Sequence, residues 1–362
     1  MKGIYKVLYL EDEDAASIVS DLKSCGLDVH TVDVSDRNAV FEELENGDYQ
    51  AFLMDYRLSS GRGNDDAPVY TGAIRTQVAD GKKSINAPIV LITEEKQLNL
   101  VKMRQEDQDQ YDYVMLKEDF SKNIKWSAEL IKSFVDAYDL INSNKDNIAQ
   151  IFNITSGEKE FLIDYRLEAE YLKLKEDTYA SCHFLLNYFV RSCGSLVKKE
   201  VIAARLGVDI KKSGDSWTKL LDNLCKEGCL YTGIMSNAFN MWWMEKVASW
   251  WKKIIPEQPT FRYESAEQRI ELLNKYTGLN LVCATPIEED MSHEYWTVCV
   301  ATGKALDPSD GYICNRRFKR EWEENDYISL KGALEVPELQ VFLSKVDRRD
   351  IVQYGQGAGS NK

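Results

Sequence analysis

Four short apolar runs in the first 120 residues each end in a polar residue. The runs and the residues that follow them are Lys6–Leu10 with Glu11 and Asp12, Ala51–Met54 with Asp55, Ala87–Ile92 with Thr93, and Tyr113–Leu116 with Lys117. Short apolar runs of this kind are typical of buried strands. In a parallel α/β sheet the carboxyl ends of the strands meet at one edge, where ligands collect. The pattern therefore predicts an α/β domain with a site at that edge.

The residue types at these strand ends indicate a particular chemistry. Glu11, Asp12 and Asp55 would form a cage of hard oxygen ligands, which suits Mg²⁺. The hydroxyl of Thr93 and the ammonium of Lys117 suit the oxygens of a phosphoryl group. The sequence predicts a Mg²⁺-dependent phosphoryl site.

These motifs resemble a response-regulator receiver domain over residues 1–141. The resemblance implies a doubly wound, parallel, five-stranded sheet, and a histidine kinase or another upstream signalling protein as partner. It also implies a role for each residue: Glu11 and Asp12 as the acidic metal pair, Asp55 as the phosphoacceptor and third metal ligand, Thr93 as the switch hydroxyl, and Lys117 as the phosphate-contacting lysine.

The chain departs from the receiver pattern at three places. Glu118 follows Lys117 where receivers usually have proline, and Val114 stands at the aromatic switch position, one place after Tyr113. Residues 59–66 are turn-rich and longer than the usual connection, so they are expected to cover the acidic pocket or to contact a partner. A receiver-like domain that takes no phosphate stays open as an alternative.

Length and composition restrict the class of protein. A chain of 362 residues predicts two or three domains. No run of about 20 apolar residues is present to span a membrane, and Met1 leads directly into the first strand without a signal peptide. The eight cysteines form no CxxC pair, which favours free thiols in a reducing cytoplasm.

The charge of the chain is negative and uneven. The formal net charge is −14, and residues 1–150 hold 17 Lys and Arg against 28 Asp and Glu. Nucleic-acid binding requires a basic face that contacts phosphates. The charge therefore disfavours nucleic acid as a partner.

Apolar residues at helical spacing between residues 121 and 175 predict helices beyond the receiver-like domain. They include Ile124, Leu130, Phe134, Tyr138 and Ile141. A polar stretch interrupts them, so we expect a helical linker over 142–160, a second domain over 161–350 and a disordered tail over 351–362.

Two different hypotheses describe the second domain. Residues 181–190, 199–207 and 216–224 favour three helices, followed by strand-like segments. This order is compatible with a winged helix-turn-helix that binds DNA, with Lys219 on the recognition helix and residues 231–242 as the wing.

A second resemblance covers more of this region. Residues 178–230 and 291–310 resemble a papain-like cysteine peptidase of the kind that processes bacteriocin leaders, an α+β fold. The resemblance implies Cys182 as the nucleophile at a helix N-terminus, His293 as the proton shuttle and Asp307 as the carboxylate that orients the imidazole. It also implies a protein substrate.

Two residues depart from this peptidase pattern and leave an inactive adaptor open. Glu176 stands where the family has the glutamine that stabilises the oxyanion, and His183 follows Cys182 where glycine is common. A carboxylate opposes the negative charge that develops at an oxyanion. The sequence thus predicts a cytoplasmic signalling protein whose receiver-like domain regulates a possible cysteine peptidase. The alternatives are a DNA-binding regulator and a catalytically inactive adaptor.

Overall fold

A computed structural model describes residues 5–58, 66–79, 86–94 and 110–359. The chain forms two compact units that are not contiguous in sequence. The first unit comprises residues up to 154, 169–186 and 233–239. The second unit comprises residues 155–168, 187–232 and those from 240 onward.

The first unit is built on a five-stranded parallel sheet. Its strands are β1 (Tyr5–Leu10), β2 (Leu27–Thr31), β3 (Ala51–Asp55), β4 (Ile89–Thr93) and β5 (Tyr113–Leu116). The strand order is β2-β1-β3-β4-β5, which is one of the common orders of doubly wound folds. The mixed α/β architecture is therefore confirmed, and the fold of this unit is receiver-like.

Helices accompany this sheet along the chain. They are α1 (Ala16–Ser24), α2 (Arg37–Asn46), α3 (Ala67–Ala79), α4 (Lys117–Lys122), α5 (Ile124–Ser143), α6 (Ile148–Ile151), α7 (Ser156–Leu162), α8 (Tyr165–Leu174) and α9 (Thr178–Leu185). The chain passes into the second unit at α7 and the start of α8. The helical spacing in the sequence corresponds to α5, whose residues Leu130, Phe134 and Ile141 are fully buried.

The central strands of this sheet are deeply buried, which accounts for their apolar sequences. Every residue of β3 and β4 is buried, as expected for central strands of a parallel sheet that is covered on both faces. Leu8, Phe52, Leu91 and Tyr70 belong to one apolar cluster of this core. The sheet is thus a rigid support for the residues at its carboxyl edge.

Two later segments complete the first unit. Helix α9 is attached at Thr178, whose hydroxyl accepts a hydrogen bond from Asn86 Nδ2 at 2.9 Å and donates one to Asn142 Oδ1 at 2.6 Å. Residues 233–239, hereafter the return segment, pack on α5 and β5. Trp126 Nε1 donates to the carbonyl of Ala238 at 2.9 Å.

Aromatic rings hold the return segment in place. The Phe239 ring centroid lies 6.2 Å from that of Trp126 and 6.4 Å from that of Tyr113. Tyr113 is the first residue of β5, so the return segment contacts a side chain of this strand. The return segment is thereby joined to both α5 and β5.

A buried polar network lies near the start of β4 and β5. The carboxylate of Asp112 accepts hydrogen bonds from Arg75 Nη2 at 2.8 Å, from the Tyr138 hydroxyl at 2.7 Å and from the Ile89 amide at 2.8 Å. The Arg75 guanidinium also lies 3.8 Å from the ring centroid of Tyr179 on α9. One buried carboxylate thereby joins α3, α5 and two strands.

The second unit contains short strands and several helices. The strands are β6 (Leu196–Val197), β7 (Trp242–Trp243), β8 (Thr297–Val298), β9 (Ala305–Leu306), β10 (Gly311–Ile313) and β11 (Tyr327–Ser329). The helices are α10 (Lys199–Leu206), α11 (Ile210–Ser213), α12 (Asp215–Lys226), α13 (Met244–Ile254), α14 (Ala266–Thr277), α15 (Leu330–Glu335) and α16 (Lys345–Gly359). Single turns of other types are Leu186–Val190 (π) and Pro308–Asp310 and Pro337–Phe342 (3₁₀).

The papain-like fold predicted for the second domain is not confirmed. Among the described residues of this unit, the strands are two or three residues long and pair as three separate antiparallel ladders: β6 with β7, β8 with β9, and β10 with β11. The main apolar core lies instead among the helices and includes Leu220, Val247 and Trp251.

One part of the second unit has the element order of a winged helix. Strand β6 is followed by α10, α11 and α12, then by Leu230, which bridges Trp242, and then by β7, which pairs with β6. The residues between Leu230 and Trp242 include the return segment, which belongs to the first unit.

Two further observations concern the C-terminal helix and the hydropathy of the helices. Helix α16 includes residues 351–359 of the predicted disordered tail, and residues 360–362 lie outside the described residues. Among the helices that the structure describes, none combines the length and the apolar character required to cross a membrane.

Candidate phosphoryl and metal site

The carboxyl ends of four strands bring the predicted receiver residues to one edge of the sheet. Glu11 and Asp12 follow β1, and Asp55 and Thr93 are the last residues of β3 and β4. Lys117 follows β5 and begins α4. Because β1 pairs with β3, and β3 with β4, in parallel register, these side chains share one edge of the sheet.

Three carboxyl groups form the centre of the site. One ligand oxygen from each of Glu11, Asp12 and Asp55 lies within 4.8 Å of the others. Glu11 and Asp55 are buried and Asp12 is half-buried. Carboxylates at this separation repel one another unless a cation or a proton lies between them.

Glu11 is held by three donors. Its Oε2 atom accepts a hydrogen bond from the Tyr9 hydroxyl at 2.7 Å and pairs with Lys117 Nζ at 2.6 Å, and its Oε1 accepts from the Glu13 amide at 3.2 Å. Burial raises the pKa of Glu11, but the hydrogen bonds from Lys117 and Tyr9 outweigh burial and lower it overall. Glu11 is therefore ionised at neutral pH.

The pKa of Asp55 is shifted in the opposite direction. Burial and the nearby charge of Glu11 raise its pKa to about 6, although Lys117 and the Tyr56 amide act in the other direction. Its Oδ1 accepts from the Tyr56 amide at 2.7 Å, and its Oδ2 lies 3.5 Å from Lys117 Nζ. The pKa of Asp12 is also raised, by burial and by the charge of Glu11.

These electrostatics fit a divalent cation. Two of the three clustered carboxyls have raised pKa values, which means that negative charge is in excess at the site. Mg²⁺ is bound in proteins by one or two carboxylates together with waters and phosphate oxygens. Glu11, Asp12 and Asp55 are therefore suitable in number and in chemistry to hold it.

Thr93 and Lys117 are placed beside the carboxyls. Thr93 is fully buried, and its Oγ1 atom has no hydrogen-bond partner among the residues that the structure describes. A pocket here is lined by Thr93, Glu94, Leu116, Lys117, Glu118 and Ser121. A buried hydroxyl without a partner is costly, so a ligand oxygen at this position would be favourable.

The three departures from the receiver pattern have different outcomes. Glu118 lies on the exposed side of α4 and forms an ion pair with Lys122 at 2.5 Å. The ring of Tyr113, next to Val114, packs against Trp126 at a centroid distance of 6.2 Å. The covering role expected for residues 59–66 concerns positions that, except for Asp66, lie outside the described residues.

Cys182 lies in the first unit, on α9. Its side chain is fully buried, and burial together with the charge of Asp112 raises the pKa of its thiol well above the ordinary value. It is the fifth residue of the helix, whose N-cap is Asp177. These surroundings favour the neutral thiol, whereas a nucleophile requires the thiolate.

His293 and Asp307 lie in the second unit and have separate partners. His293 Nδ1 forms a hydrogen bond with the carboxylate of Glu267, while Asp307 Oδ1 accepts from the Ser309 amide at 2.9 Å. The carboxylate that orients the imidazole is thus Glu267, at the start of α14. The catalytic roles of Cys182, His293 and Asp307 stay predictions.

Sequence reasoning missed two residues of the candidate site. Tyr9 donates to Glu11, and Glu13 lies with its Oε2 3.7 Å from Lys117 Nζ. The sequence offered a signal for Tyr9, because it lies at the end of β1, two residues before Glu11. This position alone could not show that the Tyr9 hydroxyl reaches the Glu11 carboxylate.

Comparisons with known proteins give partial likenesses. No protein-family model matches the chain, and no curated protein matches it. The adenylate cyclase structure from Rhodopirellula baltica is 20% identical, with a TM-score of 0.28, covering 38% of this chain and 92% of that one. Full-length FixJ from B. japonicum is 17% identical, with a TM-score of 0.25, covering 50% of this chain and 96% of that one. At these TM-scores neither likeness indicates a function.

Proposed function

We propose that the first unit accepts a phosphoryl group on Asp55 and that the chain acts in signalling. The supporting observation is the cluster of Glu11, Asp12 and Asp55 within 4.8 Å, with Lys117 in contact with two of these carboxyls. The phosphodonor would be a histidine kinase or another upstream signalling protein.

The side chains fit the steps of such a transfer. An oxygen of the ionised Asp55 carboxylate attacks phosphorus, a new acyl phosphate bond forms, and the bond to the donor breaks with its electron pair leaving on the donor. Lys117 and Thr93 would donate hydrogen bonds to the transferred phosphoryl oxygens. Mg²⁺, held by Glu11, Asp12 and Asp55, would neutralise charge on the attacking and transferred groups.

Intact-mass measurement tests this proposal. With Mg²⁺ and a small acyl phosphate donor, the full chain should gain one phosphoryl group that is labile in base, and Asp55→Asn should gain none. Asp33→Asn is the matched control, because it removes an exposed carboxyl whose Oδ1 accepts hydrogen bonds from the amide and hydroxyl of its neighbour Ser35. No added phosphate on the unaltered chain at saturating donor would favour a receiver-like domain that takes no phosphate.

The peptidase activity predicted for the second domain has no support among the described residues. Its nucleophile, Cys182, is buried with a raised pKa, and His293 pairs with Glu267. Hydrolysis of a protein substrate therefore stays a prediction, as does an inactive adaptor role.

DNA binding by residues 196–243 is a second candidate, and the winged-helix order of β6, α10–α12 and β7 favours it. Lys219 is exposed on α12, in the position of a recognition helix, but Asp215 and Asp222 are exposed on the same helix. Because phosphate contacts make binding depend on salt, duplex binding should be measured at several salt concentrations.

A charge-reversal pair makes that measurement decisive. Lys219→Glu should abolish binding, while Lys304→Glu, at an exposed turn between β8 and β9, should leave it unchanged. No binding by the unaltered chain at low salt, with and without phosphodonor, would exclude this candidate.

A further inference from the structure

Tyr9 is the buried neighbour of the phosphoryl site. It lies in β1 with no exposed surface, and its hydroxyl donates to Glu11 Oε2 at 2.7 Å. Glu11 directly follows Leu10, the last residue of β1, and is two residues after Tyr9. The contact is therefore a local one, between the end of β1 and the residue that follows it.

The same oxygen of Glu11 also pairs with Lys117 Nζ, at 2.6 Å. The side chains of these two donors differ in how freely they can move. The Lys117 side chain is 23% exposed and contacts Glu11, Glu13 and Asp55, whereas Tyr9 is enclosed by the core. A phosphoryl group on Asp55 would draw Lys117 towards its oxygens, and Tyr9 would then be the remaining side-chain donor to Glu11.

We infer that Tyr9 is a positioning residue, which holds the Glu11 carboxylate in place for the divalent cation. The inference rests on the proposed function, since it concerns the same site. Residues that orient a metal ligand through a hydrogen bond affect metal affinity by roughly 10- to 100-fold.

The test uses Tyr9→Phe in the full chain, which removes the hydroxyl and keeps the ring. The rate of phosphorylation by an acyl phosphate is measured as Mg²⁺ is varied, and Mg²⁺ binding is measured separately by calorimetry. The Mg²⁺ concentration at half-saturation should rise roughly tenfold, while the rate at saturating Mg²⁺ stays close to that of the unaltered chain.

Tyr171→Phe is the matched control. Tyr171 is also fully buried in the first unit, and its hydroxyl donates to the carbonyl of Lys145 at 3.1 Å, in a different part of the unit. A loss of general stability would affect both variants, whereas a change in Mg²⁺ half-saturation should occur only in Tyr9→Phe.

Two outcomes separate this inference from the proposed function. Equal Mg²⁺ affinity in Tyr9→Phe and the unaltered chain overturns the role of Tyr9. Normal Mg²⁺ binding without phosphorylation of the unaltered chain contradicts the proposed function, and the calorimetric comparison still decides the role of Tyr9. If Tyr9→Phe does not fold, 3-fluorotyrosine at position 9 serves as a fluorine NMR probe. Its signal should shift as Mg²⁺ binds, and an unchanged signal would also overturn the inference.

Discussion

Asp55 must be ionised to attack phosphorus, but its surroundings favour the protonated form. Burial and the charge of Glu11 raise its pKa from 3.8 to about 6. The folded protein therefore holds a proton that the unfolded chain releases between about pH 4 and pH 6, and the contribution of Asp55 to stability falls as pH rises through this range. A cation at the site would reverse this effect.

Asp55→Asn should therefore stabilise the cation-free protein at pH 8. A shift of about two pKa units corresponds to about 1–3 kcal/mol, and the gain should shrink towards pH 4, where the native carboxyl is protonated. Urea unfolding with a chelator at both pH values measures it. Asp33→Asn should give no such gain, and equal stability of Asp55→Asn and the unaltered chain at pH 8 would contradict the raised pKa.

Thiol reactivity provides a second prediction for single residues. Cys225 is exposed on α12, whereas Cys182 has no exposed surface and a raised pKa. Limiting alkylation of the native protein near neutral pH should label Cys225 before Cys182, as followed by peptide mapping. Preferential labelling of Cys182 would instead support the predicted nucleophile.

The sequence predicted which residues lie at the strand ends of the first unit for a physical reason. An apolar run shows where a buried strand ends, and the polar residue that follows is then fixed at the sheet edge. The pairing of His293 with Glu267 was not predictable in this way, because the two residues are 26 apart in sequence and meet only through tertiary packing.

At the scale of elements, one carboxylate connects several parts of the first unit. Asp112 accepts from Arg75 on α3, from Tyr138 on α5 and from the backbone of β4. Arg75 in turn packs on Tyr179 of α9. Through Tyr179, helix α9 thus contacts a guanidinium that is itself held by a buried carboxylate.

Asp112→Asn should destabilise the first unit by about 3 kcal/mol, because it leaves the buried guanidinium of Arg75 without its countercharge. Chemical denaturation compares it with Asp33→Asn, which removes an exposed carboxylate. A loss below about 1 kcal/mol would mean that Arg75 is satisfied by the carbonyls of Ala87 and Gln110 alone.

Helical spacing predicted α5 but could not assign α9. The pattern shows that a helix has an apolar face, but it does not show which other element of the protein packs against that face. Cys182 was therefore placed in the second domain by resemblance, although its helix belongs to the compact unit of the receiver-like sheet.

At the scale of the molecule, the sequence suggested domains that follow one another along the chain. In the structure the chain alternates between the two units, and residues 169–186 and 233–239 belong to the first unit. Predicted boundaries near 141 and 160 assume that each domain is continuous, and no local pattern of residues marks a segment that returns to an earlier unit.

Trp126 reports on this arrangement because it is the only tryptophan in residues 1–154. In the full chain it is covered by Ala238 and Phe239. The emission of Trp126 in the full chain is obtained by subtracting the fluorescence spectrum of Trp126→Phe from that of the unaltered chain. A fragment of residues 1–154 should emit at a longer wavelength than this difference spectrum. Identical emission would indicate that the return segment does not cover this residue.

The return segment also affects how the protein is made. The first unit lacks its last contacts until Phe239 has left the ribosome, some 85 residues after Ile154. At about 5–20 residues per second this is a delay of roughly 4–17 s. During that time the rings of Tyr113 and Trp126 lack their contacts with Phe239 on the nascent chain.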